Sequence, residues 1–369
     1  MQLRPLEFGG IFERAVTFYA RNAVRAVGIA AVPLVPVAIV QYAIVTRAQP
    51  QLDATLDLLA HPDQLRAAHH LTTLLDSPGL LAALIASTLL GYYALGFVIA
   101  ALAEGVARAY RGEPLRVGEC LAAAFSRSTS IVAVVGIAVL ALLAAYVVLL
   151  AAVSIPVVAG AALGSAALAF VAPIAVGVML LAIAFALLVA SVASACTLCA
   201  VAVEGFPAAS AVHATLVRLF NRAEFARALV IALAVGVLAM GASTVVDVAV
   251  VAGLSRWPAA CVALESVERA ALVPFLALVF AIYYFDVRVR REGFDLDSAL
   301  ERLDDEPAYA PTAYLSGDER AMVKRFIERR DAMTPARRRA IAAQLAAPVR
   351  PRVPVELQRL DDEALLERL

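Results

Sequence analysis

Charge is scarce in this chain. Asp, Glu, Lys and Arg make up 17% of its 369 residues, against about 25% in an ordinary soluble domain. The two signs balance to a formal net charge of +0. No bulk field therefore points to nucleic acid, and any charge that matters acts through its placement. The usual soluble-type catalytic motifs are missing too: there is no phosphate loop, no Gly-x-Ser-x-Gly, no His-Glu-x-x-His and no dinucleotide fingerprint. No catalytic residue, metal ligand set or cofactor is read from the sequence. The N-terminus, with Arg4, Glu7, Glu13, Arg14, Arg21 and Arg25, lacks a small-x-small cleavage site behind a short apolar core, so no removable signal peptide is expected.

What is abundant is apolar surface, at 62% of residues. From Ala26 to Val45 no side chain is charged, which is enough helix to cross a hydrocarbon core of ~30 Å at ~1.5 Å per residue. Further apolar runs fall near 79–103, 131–153, 174–203, 228–252 and 270–287. The expected fold is all-α: a polytopic membrane protein with six transmembrane helices. Arg residues concentrate in the N-terminal segment, in 104–130, in 204–227 and in the tail. By the positive-inside tendency those segments and both termini are placed on the cytoplasmic side. The stretch 154–203 is too long for one crossing, and an interfacial or re-entrant piece near 156–170 is favoured over an added span.

A pattern recurs around these runs. Ahead of the first, Phe8, Ile11, Phe12, Ala15 and Tyr19 fall on one face of a helix, with Glu7, Arg14, Thr17 and Arg21 opposite, the period of a surface-lying amphipathic helix. Pro5-Leu6-Glu7-Phe8-Gly9 reads against Pro114-Leu115-Arg116-Val117-Gly118, and Glu204-Gly205-Phe206-Pro207 against Glu292-Gly293-Phe294-Asp295. Gly112, Gly205 and Gly293 are expected to end returning helices in the left-handed C′ conformation, and Pro114, Pro207 and Asp295 to open the helices that follow. Tyr19 with Arg21, Phe125 with Arg127 and Phe220 with Arg222 are candidate lipid-headgroup anchors, ring at the interface and guanidinium in water. The expected organisation is three repeats of amphipathic helix plus hairpin, near 5–113, 114–206 and 207–294. Together they make a membrane domain of residues 1–303, followed by a helical cytoplasmic tail over 304–369.

Leu3 to Arg25, Leu216-Val217-Arg218-Leu219-Phe220 and above all Tyr283-Tyr284-Phe285-Asp286-Val287-Arg288-Val289-Arg290-Arg291-Glu292-Gly293-Phe294-Asp295 resemble the membrane domain of some bacterial glycerophosphoryl diester phosphodiesterases and related multi-pass proteins. The resemblance covers roughly residues 3–303. It implies a bacterial cytoplasmic-membrane protein of that fold. The family's chemistry resides in a separate soluble barrel, and nothing like that barrel follows here, so no catalytic residue is carried over.

Ionisable groups inside spans are costly and mark candidate sites. Asp247 is the foremost, with Arg256 and Arg269 near enough in sequence to pair with it. Glu104, Glu204 and Asp286 are the clustered acids of the cytoplasmic side. Cys196 and Cys199 form a C-x-x-C inside an apolar helix and read as packing residues. His61, His69 and His70 lie with Asp53, Asp57 and Asp63 in an outer loop without zinc-ligand spacing. Pro33 and Pro36 are expected to disturb the first span. In the tail, Ser316 with Glu319 makes a capping box, Thr334-Pro335 opens a helix through Ala347, and Asp361 or Asp362 opens the last one. The run Arg337-Arg338-Arg339 suits anionic lipid or a protein partner. The composition favours a non-catalytic membrane protein that organises lipid or protein partners at the inner leaflet. A transporter or channel for a small or lipidic solute, and a membrane-embedded lipid-acting enzyme, are the alternatives.

Overall fold

In the computed structural model residues 5–60, 78–163, 166–219, 221–250, 257–292, 315, 317–353 and 355–369 are described. Every regular element among them is a helix. α1 spans Phe8–Ala60, α2 Pro78–Tyr110, α3 Val117–Ser126, α4 Ser128–Leu163, α5 Ala166–Glu204, α6 Ala208–Leu219, α7 Arg222–Ala249 and α8 Pro258–Glu292. Within α1, α2, α4, α5, α7 and α8 lie six stretches long and apolar enough to cross a membrane.

α1 is two helices joined across a kink at Asn22 (φ −127°, ψ 18°). The prolines at 33 and 36 do not break it. Asn22 stabilises the break itself, donating from Nδ2 to the Phe18 carbonyl at 3.1 Å. The first amphipathic helix thus hands over to the first span at a single residue. Arg127 plays the same part between α3 and α4, with nearly the same backbone angles (φ −109°, ψ 17°).

The expected interfacial piece near 156–170 does not form a separate element. α4 continues to Leu163 and α5 starts at Ala166. No charged side chain occurs between Arg127 and Glu204, so nothing in the sequence fixes an end to either helix at the bilayer surface. At ~1.5 Å per residue both helices exceed the ~30 Å core.

Gly112 (φ +85°) and Gly205 (φ +71°) do end α2 and α5 in the left-handed conformation. At Gly112 the cap is a Schellman pair, with the Glu113 N–H donating to the Arg108 carbonyl at 2.9 Å. Gly293 lies outside the described residues. Pro207 directly precedes α6, whereas Pro114 stands three residues before α3, as Pro5 does before α1.

Burial is concentrated in the later turns of three of these helices. Val98 to Ala103 in α2, Ala195 to Ala202 in α5 and Ala277 to Val287 in α8 are buried at every position. α4 and α7 expose Leu140, Val147, Val237 and Met240, as the earlier turns of α5 expose Leu180, Leu181 and Phe185, the surface a lipid-facing helix requires. Small residues, among them Ala100, Ala101, Cys196, Cys199 and Ala200, dominate the buried runs of α2 and α5, and these two helices pack together.

Two compact units are distinguished, Phe12–Ala281 and Met1–Ile11 with Ile282–Leu369. Within the latter, α9 (Gly317–Arg329), α10 (Pro335–Val349), α11 (Val355–Gln358) and α12 (Asp362–Arg368) enclose a core of Met322, Phe326, Met333, Ile341, Leu345, Val349, Leu365 and Leu366. α10 starts with Pro335 at its first position, and Asp361 caps α12 by accepting from the Ala364 N–H at 3.1 Å. Ser316 is outside the described residues. Phe326 is 1% exposed. Phe326→Ala should lower the stability of the tail by about 3–5 kcal/mol, read as faster tryptic cleavage between 315 and 369 while residues 5–292 stay protected.

Candidate functional site

Three short segments, the start of α1 and the helices α3 and α6, are the parts of the chain too short to cross a membrane by themselves. Each is held by the returning helix that ends beside it. α3 follows the end of α2: Leu115 is seated against Gly105, and Phe125 stacks obliquely on Phe97 with ring centroids 5.2 Å apart. α6 follows α5, with which it is in extensive contact. The start of α1 is held by α8, at the other end of the chain, through Leu6. Further along, the Tyr19 hydroxyl donates to the Ala271 carbonyl at 2.8 Å and its ring meets Phe275 edge-on at 6.0 Å.

Numbering each short helix from its first residue (Phe8, Val117, Ala208), the fourth and eighth positions are buried in all three: Ile11 and Ala15, Cys120 and Ala124, Ala211 and Thr215. The fifth and seventh are half-buried in all three, and the second, sixth, ninth and tenth are exposed in all three. The N–H of each fourth residue closes the first helical turn, Ile11 to Glu7, Cys120 to Arg116 and Ala211 to Pro207.

The candidate acids sit where these helices are fastened. Glu104 accepts from Arg108 Nε at 3.1 Å and from Arg111 Nη2 at 3.3 Å. Arg108 also pairs with Glu119 of α3, and Arg116 reaches Glu119 at 2.9 Å. The hydrogen bond from Arg116, with Arg108 nearby, holds the Glu119 carboxyl below the usual carboxylate range. Burial pushes the neighbouring Cys120 thiol up, which leaves it un-ionised and a packing residue. Glu204 receives a bidentate guanidinium from Arg218 of α6, at 2.6 and 2.9 Å. Asp286, 2% exposed, accepts from the Leu6 N–H at 2.6 Å and from Arg290 Nε at 3.0 Å, and Arg290 Nη2 donates to the Leu6 carbonyl at 2.5 Å. One residue's N–H and C=O are thereby held by an i, i+4 acid and base on a single helix. The sequence carried no sign that a backbone 280 positions away would be the partner of Asp286.

Asp247 is exposed and makes no side-chain bond among the described residues, and Arg256 lies outside them. The expected pairing with Arg269 does not occur. Arg269 donates to Gln41 Oε1 of α1 at 2.7 Å and to Glu265, one turn back on its own helix, at 3.3 Å, while Ser243 donates to Glu268 at 3.1 Å. Of the candidate anchors, Arg21 and Phe125 are exposed. Tyr19 instead joins α1 to α8, and Arg127 is half-buried, its guanidinium lying beside Gly205. Phe220 and the Arg222 side chain are outside the described residues.

The hydroxyls of Ser191 and Thr197 donate to carbonyls of their own helix, Leu188 and Ala193, so they do not present a polar face. Gly241 of α7 has open space beside it. Of the triple arginine, Arg337 donates to the Glu292 carbonyl at 2.8 Å, Arg338 to Glu363 at 3.0 Å and Arg339 to the Pro335 carbonyl at 3.3 Å. The Arg337 contact caps the end of α8, where a cation complements the helix dipole. The three outer-loop histidines lie outside the described residues. A crevice between α5, α6 and α7 is apolar, lined by Val192, Leu219, Phe225 and Ala228 among others. Compared with family models, with curated proteins and with solved structures, the chain matches none.

Proposed function

We propose that this is a non-catalytic protein of the bacterial cytoplasmic membrane, built from three repeats of an amphipathic helix and a transmembrane hairpin with both termini cytoplasmic. Its work is to organise lipid or protein partners at the inner leaflet. The position-by-position burial match of the segments starting at Phe8, Val117 and Ala208 supports the repeats.

One observation carries the reading of function. Glu104, Glu204 and Asp286, the acids nearest to hand for chemistry at the cytoplasmic side, are each bonded to arginine and take part in fastening a short helix to a span. A carboxylate locked in such a pair is a poor proton carrier. The resemblance to the phosphodiesterase membrane domains fits the same view, as that domain is the non-catalytic part of those proteins. The tail, with its own core, is the natural seat of a protein partner.

The test is extraction of the full chain from native membranes with its lipid annulus. A defined protein or an enriched lipid class should be retained, and a retained protein should be lost when residues 304–369 are removed. The transporter reading draws its support from the ionisable cluster of Arg269, Glu265 and Glu268 with Gln41 and Ser243 in α1, α7 and α8. Solute flux in proteoliposomes that falls with Glu268→Gln, with no partner retained, would replace the scaffold reading by that one.

A further inference from the structure

The buried positions of the three short helices explain how each is held, but another position matches in all three and stays largely exposed, although Phe125 there also touches Phe97. The ninth residue is Val16 in the first, Phe125 in the second and Leu216 in the third, and they are 53%, 52% and 41% exposed. Each follows a fully packed eighth residue and is turned about 100° from it around the helix. A single exposed apolar residue is ordinary, but here the same helical position is apolar in all three segments.

The exposed apolar surface resumes just past the break that ends each short helix, at Val24, Val132 and Val230 of the outgoing spans. Those belong to stretches suited to crossing the membrane. Exposed Arg21 and Arg116 flank the first two positions, and cations at that level suit the phosphate layer.

Building on the threefold repeat, we propose that Val16, Phe125 and Leu216 insert among the acyl chains of cytoplasmic-leaflet phospholipids and act as three matched depth gauges. They set the level at which the short helices, and hence the ends of α2, α5 and α8, stand against the bilayer. An aromatic or aliphatic side chain at the acyl boundary is the usual device by which an amphipathic helix is held there. Tyr19 does not serve in this way, since it is committed to α8. The aromatic-x-Arg pattern therefore aligns Tyr19 with Phe125 three residues out of the structural register.

Tryptophan scanning tests this, because the chain has a single native Trp, Trp257, which Trp257→Phe removes. Val16→Trp, Phe125→Trp and Leu216→Trp would be made one at a time in that background, with Thr17→Trp and Ser126→Trp as comparators at exposed polar positions. All five positions are on the surface, and elution as a monodisperse species certifies folding. In vesicles of phosphatidylethanolamine and phosphatidylglycerol with brominated acyl chains, the three ninth-position Trp residues should be quenched to a similar degree. That degree should be about twofold more than for the comparators, as for an interfacial aromatic. If the three agree with one another but match the comparators, the insertion is refuted while the repeat stands. If the three differ widely in depth, the repeat reading fails with it. Shielding of all three from both water and bromine would assign the surface to a protein partner and overturn the lipid assignment.

Discussion

Asp286→Ala is expected to lower the stability of the folded protein by about 3–5 kcal/mol, the usual loss when one member of a buried ion pair is removed and the other is stranded. Two features place this substitution at the top of that range. The carboxylate is fully enclosed, with 0% side-chain exposure, so no water replaces it. It also serves two donors at once, the Leu6 N–H and Arg290 Nε. Leu6 lies ahead of the first turn of α1, where backbone N–H groups have no helical partner, and the lost bond leaves that amide without its acceptor. Arg290 would keep its bond to the Leu6 carbonyl but carry an uncompensated charge.

Asp286→Asn keeps an acceptor for the amide and loses only the charge, so a smaller cost of about 1–3 kcal/mol is expected. Asp286→Leu combined with Arg290→Met should be less damaging than Asp286→Ala alone, because no charge is left buried. Unfolding by SDS in mixed micelles measures the differences. Reactivity of a cysteine placed at Leu6 reports whether the N-terminal segment has come away. An Asp286→Ala protein within 1 kcal/mol of the parent, with Leu6 still shielded, would show that the clamp contributes little.

These residues also mark how far the sequence could be read. The six spans were legible because hydrocarbon demands a long apolar run, and that signal is one-dimensional. Gly112 and Gly205 were legible for a local reason: a helix that must turn sharply needs a left-handed residue, and glycine takes that conformation without strain. The Asp286–Leu6 clamp was not, since its partner atoms are backbone and any residue supplies them. The Arg218–Glu204 pair needed the angle between α5 and α6, which no spacing encodes. Asp247 drew attention as a charge in an apolar run, yet it stands only two residues from the end of α7, where a charge is less costly than at mid-membrane. Pro33 and Pro36 were expected to disturb the first span, and the break came instead at Asn22, where a side-chain amide takes over a carbonyl that the interrupted helix has released.

Gly105 and Gly96 were not legible, since they lie mid-helix and look like ordinary small residues of a long apolar run. A Cβ on Gly105 would collide with Leu115 Cδ1 and lie 3.6 Å from Cys120 Sγ, and one on Gly96 would stand 2.7 Å from Val135 Cγ2. In a free helix Gly→Ala gains about 1 kcal/mol, and Gly241→Ala, with nothing within 4 Å, should show that sign. Gly105→Ala should show the opposite one, a net loss of about 1–3 kcal/mol from overpacking. Leu115 is itself 4% exposed and has nowhere to swing without lifting α3 from α2. Gly105→Val should exceed this, because a second branch meets the same wall. Leu115→Ala alone should cost about 2–5 kcal/mol through the cavity it leaves. In the Gly105→Ala, Leu115→Ala double variant the added methyl fills part of that cavity, and the two losses should fall short of additivity by about 0.5–3 kcal/mol. Thermal unfolding of the four proteins in one detergent closes the cycle. Strict additivity would mean that the Leu115 seat on Gly105 does not fasten the second short helix to its span.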